Sequence, residues 1–158
     1  MQTKVLFLCT GNSCRSQMAE ALLRHLGGER FEALSAGSHP AGYIHPLAIA
    51  AMEHLRVPMI GHRSKSWDEF AATPLDVVIT VCDAAAQEAC PIWPGRAIRT
   101  HWPLPDPSFL PGTGAERLSF ALEVAGRLRS KIERLTTLEF ENKPEDQVRA
   151  ELDRIGEL

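Results

Sequence analysis

Short, mostly apolar runs recur along the chain, separated by longer stretches with helical spacing. Three of these runs have the length of a strand: Lys4–Cys9, Phe31–Ser35 and Asp76–Cys82. Such runs are typical of strands buried in a parallel sheet. A further short strand is predicted near Ala97–Ile98, within the proline-rich stretch Trp93–Pro111, which cannot form a helix.

Apolar residues at helical spacing predict four helices. The first begins at Arg15 and ends at Gly27, the second begins at Pro46, the third ends at Leu135, and the last opens at Pro144. Strands that alternate with helices indicate an α/β fold, with a mainly parallel sheet covered on both faces.

The totals favour one soluble domain over residues 1–158, with the helix at 144–157 as a terminal addition. A chain of 158 residues with 44% apolar and 23% charged residues is long enough for one core and too short for two domains of ordinary size. The net charge of −3 excludes a general attraction to nucleic acid or to anionic membranes, so anion binding must be local.

The four cysteines indicate what kind of chemistry this domain carries out. The run Val5–Leu8 is too short for a signal peptide or a membrane span, which predicts a cytoplasmic protein. Four cysteines in that compartment point to catalysis, redox exchange or metal binding rather than to a static disulfide framework.

The turn between the first strand and the first helix is the strongest chemical signal. Its backbone N–H groups are expected to surround a tetrahedral oxyanion at the positive end of the helix dipole. The predicted substrate-binding residues are Thr10, Gly11, Asn12, Ser13, Cys14 and Arg15. Asn12 is also expected to fix the conformation of the loop.

Two side chains of this turn are predicted to carry the chemistry. Cys9 faces the concavity, and the dipole and Arg15 are expected to lower its pKa and make it a thiolate nucleophile. Arg15 would hold two oxygens of the anion in its planar fork, and Ser16 would donate a hydrogen bond to the thiolate. The alternative is a buried cysteine beside a solvent-facing arginine.

The segment CTGNSCRSQMAE resembles the anion loop of the low-molecular-weight tyrosine phosphatase superfamily, and more closely its arsenate reductase branch. The resemblance runs from Lys4 to about Arg134. It implies a three-layer sandwich with a four-stranded parallel sheet flanked by helices. Gln17 stands where the phosphatase branch usually has proline, and Asp106-Pro107-Ser108 replaces its Asp-Pro-Tyr triplet.

The second cysteine pair favours the reductase branch. Cys82 ends a predicted strand and should reach the same sheet edge as Cys9, and Cys90 follows after seven residues. The resemblance implies that Cys82 resolves the Cys9–arsenate adduct, releasing arsenite, and that Cys90 carries the disulfide to a thioredoxin or glutaredoxin-like reductant. The alternatives are core cysteines and a zinc site, although the spacings suit zinc poorly. Cys14 is the expected bystander.

The resemblance also implies that Asp106 is the general acid, although Asp-Pro alone is usually a turn former. Some relatives bind potassium through positions that match Asn12, Glu20 and Ser35. Lys65 takes the place of the fourth ligand, so no metal and no cofactor are expected. Two rival functions stay open: a tyrosine or small-molecule phosphatase using Cys9, Arg15 and Asp106, and a non-catalytic redox-responsive oxyanion sensor.

Overall fold

A four-stranded parallel sheet forms the centre of the protein, in the order β2-β1-β3-β4. The computed structural model describes residues 2–82, 97–109 and 111–158. The strands are β1 (Thr3–Leu8), β2 (Phe31–Ala36), β3 (Val77–Thr80) and β4 (Ile98–His101). The described α-helices are α1 (Arg15–Gly27), α2 (Pro46–His54), α3 (Gly114–Leu135) and α4 (Glu145–Gly156). The predicted α/β fold is confirmed, with boundaries shifted by a few residues.

The two faces of the sheet are covered differently. Val5 and Phe7 of β1 point to one face and belong to the large apolar cluster that contains the buried side chains of all four described α-helices. Leu6 and Leu8 point to the other face. There they pack in a smaller cluster, against which Trp67 of the 3-10 helix Trp67–Phe70 is packed. The alternation along β1 follows from the two-residue period of a strand.

Parallel pairing brings the carboxyl ends of the strands to one edge. Leu8 pairs with both Ala36 and Thr80, so the residues that follow β1, β2 and β3 meet there. Cys9 and Cys82 therefore lie just beyond their strands rather than at the strand ends themselves. This edge is where an open α/β sheet places its ligand.

The terminal helix α4 packs on the edge strand β4. The indole of Trp102, which follows β4, is fully buried, and its Nε1 donates to Leu152 O over 3.1 Å. Lys131 of α3 donates to the carbonyls of Gly156 and Leu158, both over 2.9 Å, and so holds the carboxyl end of α4. None of the helices within the described ranges is long and apolar enough to cross a membrane.

Candidate active site

The loop between β1 and α1 turns its carbonyl groups outward. Four of them accept hydrogen bonds from outside the curve of the loop: Thr10 O from His39 N (3.0 Å), Gly11 O from Ala41 N (2.9 Å), Asn12 O from Gln17 Nε2 (3.1 Å) and Ser13 O from His45 N (2.8 Å). In a trans peptide the N–H group points opposite to the C=O group. The N–H groups that follow these carbonyls therefore face the concavity, beside a helix α1 that no side chain caps. This arrangement suits a tetrahedral oxyanion.

Asn12 holds the loop in this shape. It is fully buried and adopts a left-handed backbone conformation with φ 46°. Its Nδ2 donates to Ser16 Oγ over 2.9 Å and to Ser35 Oγ over 3.0 Å. Its Oδ1 accepts from Gln17 Nε2 over 3.0 Å and from Lys65 N over 2.9 Å. Ser16 was expected to bond to Cys9, whereas the hydrogen bond found at its hydroxyl is the one with Asn12.

Gly37 allows the chain after β2 to lie directly against this loop. A Cβ atom at Gly37 would stand 2.4 Å from Thr10 O and 2.7 Å from Cys9 O, closer than any real contact. The sequence assigned no role to Gly37 in the site. Its role depends on a neighbour that is distant in the chain, which no local pattern reveals.

Arg15 lines the cavity beside the loop, and its two terminal nitrogens have partners whereas its Nε atom has none in the described part of the chain. Its Nη1 donates to Leu104 O over 2.8 Å, and its Nη2 lies 3.1 Å from Asp106 Oδ2. The Nε atom is buried and has no hydrogen-bond partner among the described residues. Such a buried donor is costly unless a ligand uses it, and a guanidinium binds oxyanions through two parallel N–H groups.

Asp106, the predicted general acid, lines the same cavity as Cys9 and Arg15. Its second oxygen, Oδ1, accepts from Ser108 N over 2.9 Å and from Ser108 Oγ over 2.6 Å. Ser108 thus fixes one oxygen of the Asp106 carboxyl group, and Arg15 forms an ion pair with the other oxygen.

Cys9 and Cys82 are free thiols, both buried, and they line the same cavity. Hydrogen bonding with the Cys82 thiol and burial raise the pKa of Cys9, whereas Arg15 and the N–H group of Gly11 lower it. The sequence predicted a lowered pKa from the helix dipole and Arg15, whereas the effects of Cys82 and of burial outweigh that of Arg15. Thr10 Oγ1 lies 3.6 Å from Cys82 Sγ, so the loop also contacts this second cysteine.

Cys14 is buried in the same loop, and burial and Asp106 raise the pKa of its thiol to about 12. Cys90 lies outside the described residues.

Behind the loop, Lys65 approaches the predicted cation position. Its Nζ lies 3.7 Å from Glu20 Oε1, and Ser35 Oγ donates to the same oxygen over 2.5 Å. Burial lowers the pKa of Lys65, and Glu20 opposes this effect. Across the described ranges of the chain, no group of three or more His, Cys, Asp or Glu side chains is arranged to hold a metal ion.

Cys9, Arg15, Cys82 and Asp106 line one cavity of about 710 Å³. Tyr43 and His45, which the sequence did not single out for the site, line it as well. The fold and the site together define an α/β protein with a cysteine-centred oxyanion loop.

The comparisons with known proteins give the family. The model of the family "Low molecular weight phosphotyrosine protein phosphatase" matches residues 4–144, and the chain belongs to this family. The match ends just before α4 begins at Glu145.

Relatives within the family are arsenate reductases. The arsenate reductase of Bacillus subtilis (strain 168) is 35% identical over 133 residues, which are 84% of this chain and 94% of the relative. A solved arsenate reductase in a phosphate-binding state superimposes with a TM-score of 0.68 at 31% identity, covering 85% of this chain and 97% of the other. A thioredoxin-dependent arsenate reductase from Corynebacterium glutamicum gives 0.57 at 32% identity, covering 81% of this chain and 59% of the other.

Proposed function

We propose that this protein is an arsenate reductase that converts arsenate to arsenite with thiol electrons. The observation that carries the proposal is that two free thiols, Cys9 and Cys82, line the same cavity as the oxyanion loop and Arg15. Ester hydrolysis needs one thiol, whereas reduction of arsenate needs two electrons, which two thiols supply together when the second reaches the first and forms a disulfide. The reductase names of several relatives support the same conclusion.

The first step is attack by Cys9 on arsenic. The loop N–H groups and the Arg15 fork hold three oxygens of arsenate, and Cys9 bonds to arsenic as the opposite oxygen leaves. That oxygen departs as water once it has been protonated, and Asp106 is the carboxyl group over the site. Attack requires the thiolate, so the proton of the Cys9 thiol is also transferred to a substrate oxygen.

The second step is attack by Cys82 on the sulfur of Cys9. A Cys9–Cys82 disulfide forms, the sulfur–arsenic bond breaks, and its electron pair stays on arsenic, which leaves as arsenite. The two sulfurs have then supplied the two electrons. In the third step Cys90 attacks Cys82, which frees Cys9 and moves the disulfide to Cys82–Cys90. A dithiol donor of the thioredoxin or glutaredoxin class reduces that disulfide, as a reducing compartment such as the cytoplasm allows.

The rival function is phosphate ester hydrolysis. Asp106 beside Arg15 would protonate a leaving ester oxygen as readily as an arsenate oxygen, so the position of this carboxyl group favours residual phosphatase activity. Hydrolysis would use Cys9, Arg15, Asp106 and water, without Cys82.

Two assays on the same variants separate the functions. Arsenite release coupled to thioredoxin oxidation measures reduction, and p-nitrophenyl phosphate turnover measures hydrolysis. We expect the wild type to release arsenite and Cys9→Ser to lose both activities, because serine forms no stable anion at neutral pH. Cys82→Ser should lose multiple-turnover reduction and keep hydrolysis. A wild type that hydrolyses the ester but releases no arsenite would show a phosphatase instead.

A further inference from the structure

We propose that His45 is a further substrate-binding residue, whose Nε2–H donates to the outward oxygen of the bound oxyanion. This inference rests on the proposed function in one respect only, namely that a tetrahedral oxyanion occupies the cavity above Cys9. Three observations carry it: the place of His45 on the cavity wall, the hydrogen bond that fixes its ring, and the charged groups beside it.

The chain fixes the imidazole by using it as a helix cap. His45 precedes α2, and its Nδ1 accepts a hydrogen bond from Leu47 N over 3.0 Å. Its own backbone N–H donates to Ser13 O over 2.8 Å, which ties the residue to the oxyanion loop. The ring is therefore held at both its backbone and its side chain against the wall of the site.

The cap also decides where the proton is. A backbone N–H group can donate only to a ring nitrogen with a free lone pair, so Nδ1 is unprotonated and the neutral ring carries its proton on Nε2. No hydrogen bond within the described residues uses Nε2. Burial and the neighbouring Arg117 lower the pKa of His45, and Asp106 opposes them, so the ring stays neutral at physiological pH.

The in-line geometry of the displacement explains why the Nε2–H group of His45 would reach the substrate. An oxygen that leaves as Cys9 attacks must lie opposite the sulfur, on the side of the cavity mouth. His45 and Asp106 both line that cavity and lie close enough to affect each other electrostatically. Asp106 is the carboxyl group proposed as the general acid, whereas His45 would supply a fixed neutral donor that orients the same oxygen.

Inorganic phosphate, which is not reduced, allows the proposal to be tested by binding alone. His45→Asn keeps a good helix cap for Leu47 N but is too short to carry a donor to the same place. We expect its dissociation constant for phosphate in calorimetry to rise roughly tenfold or more, the loss of one hydrogen bond to a charged group, with an unchanged melting temperature. His54→Asn, at the exposed end of α2, is the matched control and should bind as the wild type does.

Nitrogen NMR of the wild type gives a second readout, because it distinguishes a protonated from an unprotonated ring nitrogen. We expect Nδ1 of His45 to be unprotonated and Nε2 protonated near pH 7, with the Nε2 signal changing when phosphate is added. Equal phosphate affinity in His45→Asn and the wild type would overturn the proposal and leave His45 a helix cap. Weaker binding in that variant would support it even if arsenate were not reduced. A wild type that binds no phosphate would overturn the oxyanion site itself.

Discussion

At the scale of single residues, the reactivity of Cys9 depends on its neighbour Cys82. The hydrogen bond with Cys82 is the largest cause that raises the pKa of Cys9, ahead of burial. Arg15 acts in the other direction, since a cation stabilises the thiolate. In the proposed mechanism, the nucleophile and the resolving thiol would thus affect each other's protonation before any substrate arrives.

Removing Cys82 should therefore make Cys9 more acidic. In Cys82→Ala the main cause of the raised pKa is gone, while Arg15 and the N–H group of Gly11 still favour the thiolate. We expect the alkylation rate of Cys9 by iodoacetamide to reach half its maximum at a lower pH than in the wild type. Peptide mass spectrometry assigns the label to Cys9 rather than Cys14. An unchanged or higher midpoint would show that the two thiols are not coupled.

A second residue-scale prediction concerns the close approach at Gly37. A methyl group there would meet the carbonyl oxygens of Thr10 and Cys9, so the oxyanion loop must move. We expect Gly37→Ala to lose phosphate binding and at least tenfold in activity, and to lose about 1–3 kcal/mol of stability as an overpacked site does. Calorimetric binding and urea denaturation measure both.

The control for Gly37 is a glycine with free space around it. Gly126 lies on the exposed side of α3, and a Cβ atom there meets nothing within 4 Å. We expect Gly126→Ala to bind phosphate normally and to gain about 1 kcal/mol from helix propensity. Normal binding in Gly37→Ala would show that the loop tolerates the methyl group.

At the scale of elements, the local patterns carried most of the prediction. The turn from β1 to α1 was predicted with Cys9 and Arg15 in place, because the apolar run, the glycine and the helical period are all local signals. Gly37, Gln17 and His45 were not assigned their roles. Their contacts with the loop join segments far apart in the sequence, and a single chain gives no signal for such pairs.

The segment around Lys65 supports a prediction on salt dependence. Its ammonium group lies 3.7 Å from Glu20 Oε1, where some relatives are expected to bind potassium. Because the protein would carry its own cation, arsenate reduction in sodium and potassium salts of equal ionic strength should agree within error. A clear gain with potassium alone would contradict this interpretation of Lys65.

The helix α4, which lies beyond the family match, should contribute to the common core. Leu152 is fully buried in the large cluster, and its carbonyl receives the Trp102 indole. We expect Leu152→Ala to cost about 2–5 kcal/mol in urea denaturation, as large-to-small core changes do. Glu145→Ala removes an exposed pair with Arg149 on the same helix and should leave the midpoint unchanged. A wild-type midpoint for Leu152→Ala would show that α4 is not part of that core.

At the scale of the whole molecule, the net charge is −3. The fold nevertheless places the guanidinium of Arg15 and the positive amino end of α1 together at one edge of the sheet. The parallel sheet brings two cysteines to one edge, α1 begins there at Arg15, and the Arg15 side chain lines the cavity. An oxyanion is thus attracted locally by an otherwise acidic protein. The same edge holds Cys82, so the cavity contains both thiols that the proposed redox reaction uses.

The disulfide left in Cys90→Ser after exposure to arsenate tests this account most directly. Without Cys90 the relay should stop after Cys82 has attacked Cys9. Peptide mapping should find a Cys9–Cys82 disulfide, with about one arsenite released per protein molecule. Finding both thiols still reduced after exposure, or undiminished thioredoxin-coupled turnover in this variant, would contradict the relay.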